Sequence, residues 1–200
     1  AVSARIVRPD AEAQRAERLN LPERYLVTVG DSGRHHGIEY LLAALASSAG
    51  QDVPLVVVGA GREAGALDAA VAAAGIDRER VIGLGHLDDA DYSTALGLAT
   101  AFVYPGIGNG FGTPLLEAMS LGVPTIHAAT PSLVEVAGEA GISIPCGDLT
   151  PYPGLLAEAI DRAWTDGELR TTLSILGEDR ARVFTWRAAA EGVWQLHADL

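Results

Sequence analysis

The sequence predicts an α/β fold built on a doubly wound parallel sheet with a C-terminal helical tail. From residue 24 onward, short runs rich in valine, isoleucine and leucine alternate with longer alanine- and leucine-rich segments of helical period. Each apolar run ends in glycine or a polar turn, and helical segments alone follow residue 150. This composition is typical of parallel strands whose two faces are both covered by crossover helices. With 200 residues, 48% of them apolar, the chain is long enough for one compact domain.

Glycine, proline and capping residues set the predicted boundaries of the elements. Strands are predicted at residues 25–29, 55–58, 81–83, 102–104, 125–127 and 142–144. Helices are predicted at residues 37–48, 63–74, 88–98, 114–121, 152–164, 167–182 and 186–200, with a short helical turn at 131–136. The dipeptides Asp166-Gly167 and Phe184-Thr185 separate the last three helices, which form the tail. Residues 1–20 are polar and are predicted to be a tether or an edge segment.

The segment from Gly108 to Pro124 carries the strongest functional signal. A glycine-rich turn follows a buried strand and leads into a helix that we expect Thr113 to cap and Pro114 to begin. The helix then starts at the carboxyl end of the strand, where unpaired N–H groups and the positive end of the helix dipole favour a phosphate. Gly110 and Gly112 let a ligand approach the backbone closely. The pattern predicts an anion site.

Glu117 lies about one turn into the same helix, where a carboxylate can reach the hydroxyls of a ribose or a sugar. The alternative interpretation is a helix carboxylate that faces solvent. We expect Glu117→Ala to weaken nucleotide binding with little change in melting temperature.

Two further glycine-rich loops follow the first and second strands. Residues 30–37 contain Arg34, His35 and His36, which can donate hydrogen bonds to a phosphate, although an ordinary polar turn has the same composition. Residues 56–65 resemble a dinucleotide fingerprint with one residue too many before the third glycine. They follow the second strand rather than the first, so they indicate NAD only weakly.

Charge and composition disfavour several classes of partner. The formal net charge is −12, and the 14 basic residues are all arginines scattered singly along the chain, so we do not expect a nucleic-acid partner. No apolar run is long enough to span a bilayer, and the first twenty residues are unlike a signal peptide, so no integral membrane segment is expected. The single cysteine, Cys146, cannot form an internal disulfide, which favours a cytoplasmic location.

The histidines do not predict a metal site. The five histidines lack the paired spacing of zinc ligands, and neither a metal nor another cofactor is expected. His127, at the end of the fifth predicted strand, is the one whose side chain we expect to face the crevice beyond the strands. Asp88, Asp89 and Asp91 open a helix and suit its dipole, so they do not indicate a catalytic pair of carboxylates.

Three segments together resemble one known family: residues 110–126, 132–141 and 184–191. They are similar to the C-terminal, donor-binding domain of retaining glycosyltransferases with the two-domain GT-B fold, the glycosyltransferases of group 1, family 4. The likeness extends over residues 21–200, and the first three strands fall in the order that this family has. The resemblance implies that the sheet is one Rossmann-like half of a GT-B fold.

The resemblance also implies that the donor substrate is a nucleotide-diphosphate sugar, with no separate cofactor. The glycine loop and the helix after it are implied to hold the diphosphate, Glu117 the ribose, and the backbone near residues 83–87 the base. The donor-binding residues implied in this way, together with polar residues of the first loop, are Gly30, Arg34, His36, Gly83, His86, Leu87, Asn109, Gly110, Phe111, Gly112, Thr113 and Glu117.

Three positions depart from the family's pattern. Asn109 stands where the family has a glutamate that touches the sugar, and Asp31 and His36 stand where it has arginine or threonine and lysine as diphosphate partners. An amide and an imidazole replace a carboxylate and an ammonium group, and hydrogen bonds to charged groups are worth roughly 1.5 to 3 kcal/mol each. Asp31 repels a diphosphate. Arg34 can compensate within the same loop, and the chain contains no lysine that would do so.

The resemblance divides the chain into a Rossmann-like nucleotide-sugar-binding domain at residues 21–185 and a crossover helix at residues 186–200. The implied partner of that helix is an N-terminal, acceptor-binding Rossmann-like domain. Because the sequence lacks that domain and begins without methionine, we expect it to be part of a longer protein and to be inactive in transfer by itself.

Two alternatives stay open. A degenerate relative that serves as a partner or regulatory subunit, without catalysis, is favoured by Asn109, Asp31 and His36. A sugar-nucleotide epimerase or an NAD-dependent oxidoreductase would use the same architecture for different chemistry, because fold alone does not fix function. Binding of NAD, or of a uridine or guanosine diphosphate instead, separates the oxidoreductase from the transferase.

Overall fold

The computed structural model describes residues 6–7, 11–30, 36–47, 52–59, 65–108 and 110–198. Its strands are β1 (Leu26–Val29), β2 (Leu55–Val58), β3 (Val81–Gly85), β4 (Ala101–Tyr104), β5 (Thr125–Ala128) and β6 (Ile142–Ile144). Its helices are α1 (Glu12–Arg18), α2 (Ile38–Ser47), α3 (Ala66–Ala74), α4 (Asp89–Gly97), α5 (Thr113–Ser120), α6 (Pro131–Ala137), α7 (Tyr152–Thr165), α8 (Gly167–Ala181) and α9 (Trp186–Ala198). A turn of 3₁₀-helix, Arg78–Arg80, precedes β3.

The strands form one parallel sheet in the order β3-β2-β1-β4-β5-β6. The chain runs outward from β1 to β3 and then returns to begin β4 on the other side of β1. Because parallel crossovers are right-handed, this reversal places α2 and α3 on one face of the sheet and α4, α5 and α6 on the other. The predicted doubly wound sheet is confirmed, and each predicted strand overlaps an observed one.

The core lies on both faces of the sheet. Every residue of β2, β4 and β5 is buried, as expected of parallel strands that helices cover on both sides. On one face α2 packs against α3 and α7, where the rings of Tyr40 and Tyr152 meet edge to face with centroids 5.3 Å apart. On the other face α5 packs against α6 and α8. The sheet is therefore a rigid base for the loops at its carboxyl edge.

The helix α1 was not predicted from the sequence. Its residues are polar and none is buried, so no apolar periodicity marks it. It packs against α4, where Arg15 Nη1 lies 2.7 Å from Asp91 Oδ1 and the Arg18 guanidinium binds the same oxygen. These ion pairs join residues more than 70 positions apart. Because these partners lie far apart in the sequence, no local sequence pattern predicts the contact that holds α1 in place.

Four helices start at a different residue from the one predicted, and in α3 and α5 a left-handed glycine precedes the start. The helix predicted from residue 63 begins at Ala66, after Gly65 with φ of 86°. The helix that Thr113 was expected to cap has Gly112 as its N-cap, with φ of 83°, and Thr113 is its first residue. A left-handed residue cannot continue into a right-handed helix, so a glycine fixes the start in both cases.

The last helix, α9, exposes large apolar side chains. Trp186 is 76% exposed and Trp194 is 72% exposed, and Val193 and Leu196 on the same helix are similarly open. Within the described part of the chain, no helix combines the length and the hydropathy needed to cross a membrane.

Candidate binding site at the sheet switch point

The loops after β1 and β4 meet where the strand order reverses. A Cβ on Gly37 would lie 2.7 Å from the carbonyl oxygen of Pro105, so these two backbones are in direct contact. A Cβ on Gly30 would lie 2.8 Å from the imidazole of His36, which packs over the end of β1. In open α/β sheets, ligands bind in this crevice beyond the carboxyl ends of the strands. Gly30 and His36 of the predicted site thus lie beside the start of the loop after β4.

The loop after β4 enters α5 through Gly112. A methyl group on Gly112 would overlap Cδ2 of Leu133 on α6, so the left-handed glycine also allows α6 to approach the loop. Pro114 has no N–H, and the amides of Leu115 and Leu116 donate to the Gly112 carbonyl oxygen at 3.0 and 3.2 Å. An anion at this end of α5 would therefore meet the amides of residues 110–113, of which only Thr113 belongs to the first helical turn that the sequence suggested.

Aromatic and cationic side chains brace Phe111 in this loop. Phe111 is 56% exposed, and its ring meets Phe184 edge to face with centroids 6.0 Å apart. The Arg180 guanidinium lies 5.0 Å from the centroid of Phe184 and donates to the carbonyl oxygens of Val136 at 2.9 Å and Glu135 at 2.5 Å. The loop is thus held by the end of α6 and by the junction between α8 and α9. No sequence pattern pointed to Arg180 or Phe184 as residues that hold this loop.

Glu117 is a buried carboxylate rather than a solvent-facing one. Its side chain is 2% exposed, and Oε2 accepts a 2.7 Å hydrogen bond from the hydroxyl of Tyr92 on α4, which is itself fully buried. Burial first and the charge of Glu117 second raise the pKa of Tyr104, the last residue of β4. The solvent-facing alternative for Glu117 is wrong. Its predicted contact with a ribose stays a prediction, and no sequence pattern pointed to Tyr92.

The predicted base-binding residues, 83–87, begin inside β3, because this strand extends to Gly85 and does not end at residue 83 as predicted. Gly59 at the end of β2 donates its N–H to the Gly85 carbonyl oxygen at 2.7 Å, and Gly83 and His86 are exposed. Asp88 then caps α4 by accepting from the Asp91 N–H at 2.8 Å. That bond is the main reason why the pKa of Asp88 is lowered, with Arg15 adding to it. The segment of residues 83–87, which comprises the end of β3 and the two residues after it, therefore leads directly into the helix that carries Tyr92.

His127 does not line the crevice. Its side chain is fully buried, and a Cβ on Gly141 would meet its Nε2 at 3.3 Å and Thr125 Oγ1 at 2.6 Å. His127 Nδ1 pairs with the Ala128 carbonyl oxygen at 2.9 Å, whereas Nε2 has no hydrogen-bond partner among the described residues. Burial lowers the pKa of His127. The expectation that this ring faces the crevice is wrong, because β5 is covered on both sides.

Four residues of the sequence-based hypothesis, Asp31, Arg34, His35 and Asn109, lie outside the described residues, as do residues 60–64 of the second glycine-rich loop. Among the residues that the structure does describe, no group of three or more His, Cys, Asp or Glu side chains is arranged to hold a metal ion.

Comparison with known proteins identifies the family. The family model described as glycosyl transferases group 1 matches residues 10–180. This chain belongs to that family. The chain is 35% identical over 104 residues to O-antigen chain mannosyltransferase B of Escherichia coli, an alignment that covers 52% of this chain and 26% of the relative.

Solved structures agree with this family in fold. Sucrose-phosphate synthase from Thermosynechococcus elongatus superposes with a TM-score of 0.76 at 29% identity, over 94% of this chain and 48% of that one. The C-terminal domain of a group 1 glycosyl transferase from Francisella tularensis superposes with a TM-score of 0.70 at 20% identity, over 88% of this chain and 93% of that domain. The chain therefore spans about a quarter of the mannosyltransferase and about half of the synthase.

Proposed function

We propose that this chain is the donor-binding half of a retaining glycosyltransferase, which transfers a hexosyl group from a nucleotide-diphosphate sugar to an acceptor. The observation that carries the proposal is the meeting of the β1 and β4 loops at the switch point, directly before a helix entered through a left-handed glycine. In this arrangement the amides of residues 110–113 hold the diphosphate, as a helix N-terminus does for other anions. Retention of the anomeric configuration is carried over from the family resemblance.

The proposal assigns the two ends of the nucleotide to different elements. The base lies over residues 83–87, and the pentose lies against the carboxylate of Glu117. A carboxylate has two oxygens and about four lone-pair positions, so Glu117 can accept from Tyr92 and from a pentose hydroxyl together. His36 and Arg34 approach the diphosphate from the first loop.

We further propose that the acceptor binds a second, N-terminal Rossmann-like domain of the full-length protein. The chain spans only part of its relatives, and the domain from Francisella tularensis to which it is similar in fold is described as C-terminal. The exposed apolar side chains of α9, including Trp186 and Trp194, suit a helix that packs on that second domain. By itself, this half binds donor and does not turn over. The single Cys146 supports a cytoplasmic setting.

A second candidate function, a non-catalytic relative, is favoured by one sequence observation. Asn109, Asp31 and His36 replace groups that the family uses on the sugar and the diphosphate. A protein of this kind would keep the fold and serve as a partner or regulatory subunit.

Calorimetric titration of the full-length protein with GDP, UDP and ADP and their glucose or mannose conjugates tests the proposal. Saturable binding of one of these nucleotides is expected, and Glu117→Gln should weaken it about tenfold, because an amide replaces a charged acceptor while its oxygen still accepts from Tyr92. Glu158→Ala, an exposed acid on α7, is the control and should bind as the unmodified protein does. Absence of saturable binding with every compound would favour the non-catalytic relative.

A further inference from the structure

A buried phenol hydrogen-bonds to the carboxylate that the proposed function assigns to the pentose. The Tyr92 hydroxyl donates to Glu117 Oε2 at 2.7 Å, and both side chains are at most 2% exposed. A carboxylate in such a place is stabilised only if its lone pairs are satisfied, so this bond contributes to keeping the Glu117 side chain in one rotamer.

The helix that carries Tyr92 is fixed at its first turn. The Tyr92 N–H donates to the Asp88 carbonyl oxygen at 2.8 Å, and the Asp88 side chain caps the helix through the Asp91 N–H. The Asp91 carboxylate in turn forms ion pairs with two arginines of α1, with Arg15 Nη1 at 2.7 Å and with the Arg18 guanidinium. The phenol is therefore held by a capped and cross-linked turn rather than by a mobile loop.

The same turn follows the segment proposed to hold the base. Residues 83–87 end directly before Asp88, and Tyr92 lies four positions after Asp88. A change in the position of the start of α4 would move both the base-binding segment and the hydroxyl that orients Glu117. The base and the pentose of one nucleotide would therefore contact parts of the protein that this hydrogen bond joins.

We propose that Tyr92 is a positioning residue for the donor nucleotide, which orients the Glu117 carboxylate toward the pentose hydroxyls and couples it to the base-binding segment. This inference rests on the proposed function. Tyr92 is fully buried and acts on the nucleotide through Glu117. Its loss should therefore reduce discrimination between a ribonucleotide and a deoxyribonucleotide, a readout that general destabilisation would not change.

The experiment compares binding of GDP, UDP and ADP with binding of their 2′-deoxy and 3′-deoxy counterparts to the full-length protein. In Tyr92→Phe, affinity for the best-bound ribonucleotide should fall about three- to tenfold, and its preference over a deoxy counterpart should fall by a similar factor. Tyr25→Phe is the matched control, because the buried Tyr25 hydroxyl donates to the Ala95 carbonyl oxygen of the same helix at 2.9 Å. This control should leave the preference unchanged.

The outcomes separate the inference from the proposed function. If the unmodified protein binds none of the nucleotides, the proposed function fails and the inference fails with it. If the unmodified protein binds a ribonucleotide but shows no preference over either deoxy form, the proposed pentose contact of Glu117 fails together with the inference. If it shows that preference and Tyr92→Phe keeps it in full, the inference alone is overturned.

A second pair of variants covers the case in which Tyr92→Phe does not fold. Glu117→Leu and Tyr92→Phe/Glu117→Leu both lack the carboxylate and any other group at this position that could accept a hydrogen bond from the phenol. They should show the same ribonucleotide preference, because the role of Tyr92 is exercised through the Glu117 carboxylate. A further loss of preference in the double variant would overturn the inference.

Discussion

Replacing Gly112 with alanine tests the entry into α5 with a single methyl group. Gly112 has φ of 83° and ψ of 38°, a left-handed conformation that costs an L-residue roughly 1 to 2 kcal/mol. The new methyl group would also overlap Cδ2 of Leu133, since carbon atoms in contact normally lie about 3.5 to 4.0 Å apart. Leu133 is fully buried and cannot turn away without displacing its neighbours.

The two costs can be combined. Over-packing of a core typically costs about 1 to 3 kcal/mol, so Gly112→Ala should destabilise the fold by about 2 to 5 kcal/mol in total. For a protein of this size, each kcal/mol lowers the melting temperature by about 2 to 4 °C. Nucleotide affinity should fall as well, because the amides of residues 110–113 would shift.

Thermal unfolding followed by circular dichroism measures the first effect. Gly110→Ala is the matched control in the same loop, since a Cβ there would have no atom within 4 Å. It should leave the melting temperature within about 2 °C of the unmodified protein, and it should weaken nucleotide binding if the ligand approaches this backbone closely. Equal melting temperatures for Gly112→Ala and Gly110→Ala would refute the reasoning about the helix entry.

Three further predictions concern groups that support the site. Burial lowers the folded-state pKa of His127 below the 6.5 of the unfolded chain, so the protein should lose stability as pH falls below about 6.5. The melting temperature should therefore drop less between pH 7.5 and 5.5 in His127→Leu than in the unmodified protein. An equal drop in both proteins would contradict this. Arg180→Ala should cost about 1 to 3 kcal/mol in chemical unfolding through its two lost carbonyl contacts, whereas Arg182→Ala, which removes exposed ion pairs, should cost less than about 1 kcal/mol; equal costs would contradict it. Asp91→Ala should make trypsin cut α1 faster by releasing its arginines, and an unchanged cleavage rate would count against those ion pairs.

The parallel sheet could be predicted because its signal is local. Runs such as Leu55–Val58 are apolar at every position, and a glycine or a polar turn ends each of them. The composition of a strand buried on both faces is therefore visible in four or five residues, and the alternation with helices fixes the doubly wound class.

Helix starts were less predictable, because they depend on backbone dihedral angles. Thr113 has the side chain of an N-cap, but the left-handed Gly112 before it already starts the helix. In contrast, Asp88 does cap α4 through its side chain. Sequence preferences for capping residues do not distinguish these two cases, because both fit the same pattern of a small polar residue before a helix.

The partners of Glu117 were not predictable from the sequence. Tyr92 is 25 positions away on another helix, and only the packing of α4 beside α5 brings its hydroxyl to the carboxylate. The sequence-based expectation that Glu117→Ala leaves the melting temperature nearly unchanged must also be revised. Removing the carboxylate leaves the buried Tyr92 hydroxyl without this acceptor, so Glu117→Gln isolates the binding role better.

A crystal structure of the full-length protein with its best-bound nucleoside diphosphate would test the proposed donor site itself. The diphosphate should lie within hydrogen-bond distance of the amides of residues 110–113, with a pentose hydroxyl on Glu117 and the hydrogen bond between Tyr92 and Glu117 intact. A diphosphate bound at any other part of the sheet edge, or a pentose that does not contact Glu117, would contradict the proposed site.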